Sequence, residues 1–338
     1  MIQSILRLGI VGVANISNAF AAGVSESTTV KIVAVASRSL AKANRFARDF
    51  RIEKSFGAYE DLIADPEIDA VYLPLPNSMH AEWAIRCAQA GKHILCEKPM
   101  ATSLDEAKSM FVTADVNGVT LREAYPYLAQ QQTIHTRNLI EQGVIGRLQL
   151  IRASFGLRFS DNTNIRLNQK LGGGSLLDTG SYPVSLVRIL AGTRPRRVQA
   201  VARWAGNAID QTLVATLDFE SGLLAQISCS FETGFHRHAL IAGDDGIIET
   251  DYTNHAWPKA PTIRLRRGLG FRTPYEIIET PGNDGFLAEA ESFRKLLVGN
   301  QDDWDGATPQ ESLDIAATLD AIARSAREDG PWIDVLSP

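Results

Sequence analysis

The sequence predicts an α/β protein of two domains: a doubly wound parallel sheet, then an α/β domain with a large, mostly antiparallel open sheet. The chain has 338 residues, which exceeds one ordinary hydrophobic core. Its first third alternates buried-strand and helix patterns, as parallel sheets covered on both faces do. After residue 124, strand patterns follow one another with few helices between them. We therefore predict a boundary at that point, with domains at 1–124 and 125–338.

Short apolar runs and helical patterns define the elements of the first domain. The predicted strands are residues 6–13, 32–36, 70–75 and 93–96. The predicted helices between them are residues 16–23, 40–50, 59–63 and 80–90. Ser103 and Glu106 have the spacing of a capping box, which predicts one more helix through residues 107–116.

The second domain begins with a long helical pattern that ends at Gly143, residues 130–142. Strand patterns then predominate, at residues 148–155, 197–203, 211–219, 222–231, 237–242, 246–250 and 262–267. Helical patterns return at residues 285–298 and 309–327. Strands that succeed each other without intervening helices favour an antiparallel sheet.

Composition and charge argue against several classes of protein. The net charge is −5 and no basic stretch is present, which disfavours a nucleic-acid partner. Cys87, Cys96 and Cys229 lack the spacing of a disulfide framework or a zinc site, so we expect no metal. No apolar run reaches the length of a membrane span. The first strand follows Met1 within a few residues, which leaves no room for a signal peptide, and we expect a cytoplasmic protein.

The turn between the first strand and the first helix has the position of a nucleotide-binding loop. The full fingerprint is G-x-G-x-x-G, and this chain has Gly12, Ala14 and Ser17 at the three positions. Alanine and serine are still small enough for a backbone to approach a pyrophosphate at a helix N-terminus. An ordinary tight turn fits the same pattern. The predicted cofactor-binding residues of this turn are Gly9, Gly12, Val13, Ala14, Asn15 and Ile16.

The end of the second strand indicates which dinucleotide is bound. A chain that binds NAD normally carries a carboxylate there, which binds the ribose hydroxyls. This chain has Ser37 and Arg38 instead. A hydroxyl and a planar cation suit a 2′-phosphate, and no carboxylate repels it. We therefore predict NADP as the cofactor, bound by Ser37, Arg38 and Lys42; an ordinary polar pair at a strand end is the alternative.

Two further segments carry residue types used in catalysis. Residues 96–99, Cys-Glu-Lys-Pro, follow an apolar strand directly, at the sheet edge where open α/β sheets bind ligands. Asp178 and Tyr182 lie four residues apart after three glycines, so they share a face if the segment is helical. A carboxylate and a phenol together anchor a hydroxyl and move a proton. The alternative is that Lys98 is an ordinary surface lysine and Tyr182 a packed core residue. Pro183 also favours a bent or late helix, so the sequence does not decide whether Asp178 and Tyr182 share a face.

Several longer motifs together resemble those of a known family. The Gfo/Idh/MocA oxidoreductases have similar motifs in the same order as residues 74–80 (PLPNSMH), 91–93 (GKH), 97–99 (EKP), 123–124 (EA) and 172–182 (GGGSLLDTGSY). Many members have histidine where this chain has Tyr182. The tyrosine resembles the branch with glucose–fructose oxidoreductase, D-xylose dehydrogenase and dimeric dihydrodiol dehydrogenase. The resemblance runs from about residue 8 to the C-terminus.

The resemblance implies a Rossmann domain and a second domain whose open sheet forms the subunit contact of a homodimer or homotetramer. It implies hydride transfer between NADP(H) and a carbon of a sugar or related polyol, with Lys98, Tyr182 and Asp178 as catalytic residues. Tyr182 is then the proton donor or acceptor. Further predicted cofactor contacts are Leu75, Pro76, Asn77, His80, Glu97 and Lys98. The predicted substrate contacts are Lys98, Tyr127, Phe155, Arg166, Asp178 and Tyr182.

One departure from the family pattern leaves the substrate open. Related sequences often carry an arginine and a His-Pro pair after the residues that match Glu123 and Ala124, and this chain lacks them. Three alternatives therefore stay beside the sugar oxidoreductase. They are a trans-dihydrodiol or dicarbonyl reductase, a non-catalytic NADP-sensing regulator, and an enzyme that recycles a tightly held cofactor between two sugars. The intact Lys98, Asp178 and Tyr182 argue against the regulator.

Overall fold

In a computed structural model of the protein, the parallel sheet and the mostly antiparallel sheet lie in separate units of the chain. The structure describes residues 5–159, 164–206, 209–254, 260–270, 272–299 and 303–338. Two compact units are present. The first contains Met1–Ala101, Asp105–Ala129 and Asn283–Pro309, and the second contains Thr102–Leu104, Gln130–Gly282 and Gln310–Pro338. That residues 1–124 bind the cofactor and residues 125–338 bind the substrate stays a prediction.

The first unit is built on a six-stranded parallel sheet. Its strands are β1 (Leu6–Val11), β2 (Val30–Ala36), β3 (Lys54–Phe56), β4 (Ala70–Leu73), β5 (His93–Glu97) and β6 (Leu121–Ala124). They lie in the order β3-β2-β1-β4-β5-β6, and every neighbouring pair is parallel. This order is that of a dinucleotide-binding sheet, which confirms the predicted Rossmann architecture.

The second unit contains a nine-stranded sheet, counted over the described residues. Its strands are β7 (Leu148–Arg158), β8 (Arg197–Ala205), β9 (Ile209–Asp218), β10 (Leu224–Ser230), β11 (Glu232–Gly243), β12 (Gly246–Thr250), β13 (Thr262–Arg267), β14 (Glu276–Glu279) and β15 (Ile333–Asp334). They lie in the order β14-β13-β12-β11-β7-β10-β9-β8-β15. The pair β7–β10 is parallel and the other pairs are antiparallel, which confirms the mostly antiparallel sheet.

The α-helices within the described ranges are α1 (Asn15–Val24), α2 (Leu40–Phe50), α3 (Tyr59–Ala64), α4 (His80–Gln89), α5 (Leu104–Val116), α6 (Gln131–Glu141), α7 (Ser181–Ala191), α8 (Gly285–Leu297) and α9 (Pro309–Arg327). Among these helices, none combines the length and the apolar character needed to cross a bilayer. Strands β3, β6, β14 and β15 did not show in the sequence pattern, because runs of two to four residues are too short for a period to register.

Aromatic packing ties the sheet of the first unit to its helices. Phe20 of α1 stacks on Tyr72 of β4 with ring centroids 3.7 Å apart, and Phe286 of α8 meets Phe20 edge-on at 6.2 Å. All three rings are fully buried. Ring pairs of this kind add about 0.5–1.5 kcal/mol each beyond their buried area. Helix α8 therefore belongs to the core of the first unit, although it follows eight strands of the second sheet, β7–β14, in sequence.

Helices cover one face of the second sheet. Helix α7 packs on β7 and β10. Along β7 the alternate residues Ile151, Ala153 and Phe155 are buried, whereas Arg152 between them is exposed, as expected for a strand with one covered face. Helices α7 and α9 are joined by a buried ion pair in which Arg188 Nε lies 2.7 Å from Asp314 Oδ2.

Candidate active site

The turn after β1 is closed by a glycine and a serine. Gly12 has φ of +117°, and a Cβ on it would lie 2.8 Å from Leu75 Cδ2, so a side chain does not fit. Ser17 Oγ accepts a hydrogen bond from Ala14 N and donates one to Gly12 O, both at 3.0 Å. Ser17, in place of the last fingerprint glycine, thus fixes the turn. The first backbone N–H groups of α1, which include Asn15 and Ile16, have no acceptor within the helix and suit a phosphate.

The loop after β2 presents cations next to the start of α2. Ser37 is buried and its Oγ accepts from Ser39 N at 3.3 Å, while Ser39 Oγ caps α2 by accepting from Lys42 N at 3.4 Å. Arg38 and Lys42 are exposed, and the first turn of α2 contains no acidic residue. Burial raises the pKa of Tyr59, against the opposing charge and hydrogen bond of Arg38.

His80 connects the loops that follow β4 and β5. Its ring has no exposed surface, Nε2 lies 2.8 Å from Leu75 O, and Nδ1 lies 2.9 Å from Pro99 O. Burial lowers the pKa of His80, although both carbonyl contacts oppose that change. This arrangement favours a role in positioning the two loops over the predicted direct contact with the cofactor.

The loop that carries Lys98 is held by two buried carboxylates. Glu97 Oε1 accepts from the Tyr72 hydroxyl at 2.6 Å, and its Oε2 accepts from Lys98 N at 3.2 Å. Glu123 Oε1 accepts from Met100 N at 2.7 Å. The side chain of Lys98 is half-buried. Glu97, predicted to bind cofactor, thus also fixes the backbone on which Lys98 is placed.

Glu289 of α8 is a further buried carboxyl of the first unit. It is 1% exposed, and among the described residues neither oxygen has a well-formed hydrogen-bond partner. Burial raises the pKa of Glu289 well above its ordinary value, and the charge of Glu97 raises it further, against a weak backbone hydrogen bond from Tyr125. The fold therefore favours the protonated, uncharged form of Glu289.

Glu289→Gln is expected to raise the Tm by an increment that grows as the pH rises. The unfolded chain loses this proton near the ordinary pKa of 4.5, whereas the folded chain keeps it to higher pH. The wild type therefore loses stability between those two pH values, by at most about 1.4 kcal/mol per pH unit, and glutamine has no such proton to lose. Calorimetry at several pH values, with Glu291→Gln on the partly exposed side of α8 as control, measures this effect. Parallel curves of Tm against pH for the wild type and Glu289→Gln would contradict it.

In the second unit, a buried aspartate fixes the start of the glycine-rich segment. Asp210 Oδ2 accepts from Ser175 Oγ at 2.8 Å and from Leu176 N at 2.6 Å. Burial raises the pKa of Asp210 against these hydrogen bonds. Gly174 has φ of +124°, and a Cβ there would lie 2.2 Å from Asp210 Oδ1. The glycine is thus required for the aspartate to reach the helix N-terminus.

Asp178 and Tyr182 lie on one continuous helical segment. Residues Leu176–Gly180 form a π-helical turn that runs directly into α7, and such turns are frequent at functional sites. Pro183 lies shortly after the π-helical turn, and the helix continues through it to Ala191. Asp178 Oδ2 lies 2.8 Å from Arg166 Nε. Two of the predicted substrate-binding residues, Arg166 and Asp178, are therefore in direct contact.

Tyr182 is surrounded by residues from distant strands of the second unit. Its side chain is buried, and Asn254 Nδ2 donates to its hydroxyl at 2.8 Å. The guanidinium of Arg237 lies 4.2 Å from the ring centroid, and Phe155 packs edge-on at 5.4 Å. Predicted residues Phe155 and Tyr182 are thus brought together.

The structure also places residues that the sequence did not single out. Arg237 and Asn254 have no motif of their own, but Arg237 lies between two exposed histidines on β11, and this alternation is the signal for an inward-facing side chain. Tyr127, in contrast, is fully buried in the short helix Pro126–Ala129 of the first unit, where its ring lies 5.9 Å from that of Tyr125. Its contact with substrate stays a prediction. The described residues contain no group of three potential metal ligands.

Known proteins match both parts of the chain. The family model described as "Oxidoreductase family, NAD-binding Rossmann fold" matches residues 6–125, and the "GFO/IDH/MocA C-terminal domain" matches residues 133–249. D-xylose 1-dehydrogenase (NADP(+)) 2 from Haloferax volcanii is 32% identical over 98% of this chain and 100% of its own. Trans-1,2-dihydrobenzene-1,2-diol dehydrogenase from Danio rerio is 31% identical over 94% of this chain and 96% of its own.

A solved structure gives the same result for the fold. The 3-ketoreductase from Actinomadura kijaniata, in complex with NADP and TDP-benzene, is 28% identical with a TM-score of 0.84, covering 95% of this chain and 98% of that one. That enzyme has also been solved with one tyrosine changed to phenylalanine and with one lysine changed to alanine. The two changed residues are as far apart along that chain as Lys98 and Tyr182 are here. Since the matching models and relatives span both units, the chain belongs to the Gfo/Idh/MocA family of oxidoreductases.

Proposed function

We propose that this protein is an NADP(H)-dependent oxidoreductase that transfers hydride to or from a carbon of a sugar or related polyol. The observation that carries the proposal is the placement of Asp178 and Tyr182 on consecutive turns of one helical segment. A carboxylate to anchor a hydroxyl and a phenol to move its proton are the groups that carbinol–carbonyl chemistry needs beside a hydride carrier. The named relatives, an NADP-dependent xylose dehydrogenase and a diol dehydrogenase, support the same substrate class.

The residues of the first unit fit a dinucleotide with a 2′-phosphate. Gly12 has a positive φ and no room for a side chain beside Leu75, so the turn after β1 requires glycine at this first fingerprint position. The exposed Arg38 and Lys42 supply positive charge, and Ser37 stands where an NAD enzyme has a carboxylate. When bound, NADP supplies the nicotinamide carbon that gives or takes the hydride.

The chain's own residues manage the proton and the substrate. Tyr182 gives its phenolic proton to the substrate oxygen during reduction and takes one from the substrate hydroxyl during oxidation. Lys98 supplies a positive charge that stabilises the negative charge developing on oxygen. Asp178, held by Arg166, anchors a neighbouring hydroxyl, and the ring of Phe155 offers a face for the carbon skeleton.

A substrate panel tests this proposal against its alternatives. Aldoses, inositols and vicinal diols are offered with NADP⁺, and ketosugars and dicarbonyls with NADPH, while absorbance reports cofactor turnover. Turnover of sugars supports the proposal. Turnover of diols and dicarbonyls alone favours the second candidate, which the 31% identical diol dehydrogenase suggests. Cofactor binding without any turnover would identify a regulator, and a cofactor that is never released would indicate recycling between two sugars.

Arg38→Ala is expected to weaken NADP(H) binding and spare NAD(H). The charge-assisted contact with a 2′-phosphate contributes about 1.5–3 kcal/mol, equivalent to roughly ten- to a hundredfold in Kd. Fluorescence titration with NADPH and NADH measures both affinities. Arg48→Ala, an exposed arginine on α2, is the matched control and leaves them unchanged. Equal affinity of the unmodified protein for both cofactors would contradict the assignment.

We further propose a homodimer or homotetramer that forms through the open face of the second sheet. Val201 of β8 and Val214 of β9 lie opposite each other in register and are 61% and 52% exposed. Paired aliphatic side chains that stay exposed on a sheet favour coverage by another subunit. Light scattering is then expected to give a mass of two or more chains.

We also propose a cytoplasmic location. It fits the three free, buried thiols, Cys87, Cys96 and Cys229, since a reducing compartment keeps cysteines unpaired.

A further inference from the structure

The hydroxyl of Tyr182 has a hydrogen-bond donor of its own, supplied by the loop after β12. Asn254 Nδ2 donates to the Tyr182 hydroxyl oxygen at 2.8 Å. The backbone of Asn254 is anchored separately, because its carbonyl accepts from Gln130 Nε2 at 3.1 Å. A change of the Asn254 side chain therefore leaves the anchor of the loop in place.

The direction of this hydrogen bond is set by Arg237. Arg237 Nη1 lies 3.2 Å from Asn254 Oδ1. A guanidinium can only donate, so the amide must turn its oxygen towards Arg237 and its nitrogen towards Tyr182. The tyrosine oxygen is thereby the acceptor, and its own proton points away from Asn254 towards another partner.

Arg237 is in turn held by aromatic rings. It is buried, and its guanidinium carbon lies 4.2 Å from the ring centroid of Tyr182, 4.6 Å from that of Tyr252 and 5.0 Å from that of Phe155. A cation over the face of an aromatic ring is attracted by the ring quadrupole, most strongly where water is excluded. The positive charge of Arg237 therefore stays beside Tyr182 in both protonation states of the phenol.

We propose that Asn254 and Arg237 are positioning residues for proton transfer by Tyr182; this inference rests on the proposed function of that tyrosine. During reduction the O–H bond of Tyr182 breaks, its proton joins the substrate oxygen, and the electron pair stays on the phenolate. The phenolate then accepts the Asn254 N–H as a charge-assisted hydrogen bond, which is stronger than the bond to the neutral phenol. During oxidation the same phenolate takes the proton of the substrate hydroxyl.

Tyr252 and Asp178 are two further titratable groups of the second unit near Tyr182. Tyr252 follows β12, and burial raises its pKa, so it stays a neutral phenol. Asp178 precedes Tyr182 by one turn and is paired with Arg166 at 2.8 Å. Arg237 from β11 faces the ring with its positive charge, and Asn254 donates a hydrogen bond to the hydroxyl.

Asn254→Asp tests the proposal, because it keeps the shape and reverses the hydrogen bond. A carboxylate can only accept, so it draws the Tyr182 proton towards itself and opposes the phenolate. The expected result for sugar oxidation with NADP⁺ is a kcat reduced roughly ten- to a hundredfold, with a smaller change in KM. The rising limb of the pH–rate profile is expected to move to higher pH. Asn254→Ala, which removes the donor without adding charge, is expected to change both quantities in the same direction by less.

Controls separate this inference from a structural role and from the proposed function. Asn117→Asp, an exposed asparagine at the end of α5, introduces the same charge and should change neither kcat nor the pH limb. In a Tyr182→Phe background both Asn254 variants should have no additional effect on residual kcat, and NADPH affinity should stay at the wild-type value throughout. An unchanged pH limb in Asn254→Asp, or an equal loss of kcat in the Tyr182→Phe background, would overturn the positioning role alone. Near-full activity of Tyr182→Phe itself would overturn the proposed proton donor.

Discussion

Replacement of Tyr182 by phenylalanine is expected to reduce kcat by roughly 10²–10⁴-fold, the usual contribution of a positioned general acid or base. The substitution removes one oxygen and keeps the ring, so the packing against Phe155 and the cation of Arg237 are preserved. Affinity for NADPH should stay nearly unchanged, because the residues proposed to bind it lie in the other unit. Steady-state kinetics in both directions and a fluorescence titration of NADPH measure the two effects.

A matched control for that variant is Tyr275→Phe. Tyr275 is partly exposed and its hydroxyl bonds to Glu249, so its loss removes a hydroxyl from the same unit without touching the proposed site. The control should retain wild-type kcat. If Tyr182→Phe retained it as well, the proton would have to come from elsewhere, with His80, an ordered water or the cofactor ribose as the remaining candidates.

Local patterns along the chain predicted most of the elements, because burial imposes a period on sequence. The apolar runs of the first third became β1, β2, β4 and β5, and the helical pattern at residues 309–327 became α9 with the same bounds. Helix α8 was also predicted, but the spacing of its apolar residues does not show which of the two units its apolar face packs against. Its packing on α1 depends on contacts such as Phe20 with Phe286, which join residues far apart in sequence.

Residues of the candidate site that lie within one sequence motif were predicted, whereas residues that only the folded chain brings together were not. The spacing of Asp178 and Tyr182 predicts a shared face if the segment is helical, and the structure places the two residues on consecutive turns of one helical segment. Asn254 and Arg237 reach Tyr182 from a loop and a strand that follow it by many residues. Their positions depend on strand register, since a shift of one residue would turn Arg237 outward. No short pattern encodes that register.

The loop around Lys98 is held by side chains that bind its backbone. Glu97 Oε2 accepts from Lys98 N, Glu123 accepts from Met100 N, and His80 Nδ1 lies 2.9 Å from the carbonyl of Pro99. All three anchoring side chains are buried. A change of the Lys98 side chain should therefore leave the backbone of the loop in place, so that a loss of activity reports the missing amine.

Lys98→Ala is expected to reduce kcat at least as much as Tyr182→Phe and to move the pH–rate profile of the residual activity to higher pH. In the proposed mechanism the lysine cation stabilises the negative charge that develops on oxygen, so that without it proton removal during oxidation requires more alkaline conditions. Lys98→Arg keeps the charge on a different geometry, so it should recover part of kcat and return the profile towards that of the wild type. Lys31→Ala, an exposed lysine paired with Glu53, is the control and should change neither quantity. A Lys98→Ala enzyme with wild-type kcat, or with an unshifted profile, would show that the positive charge comes from another residue.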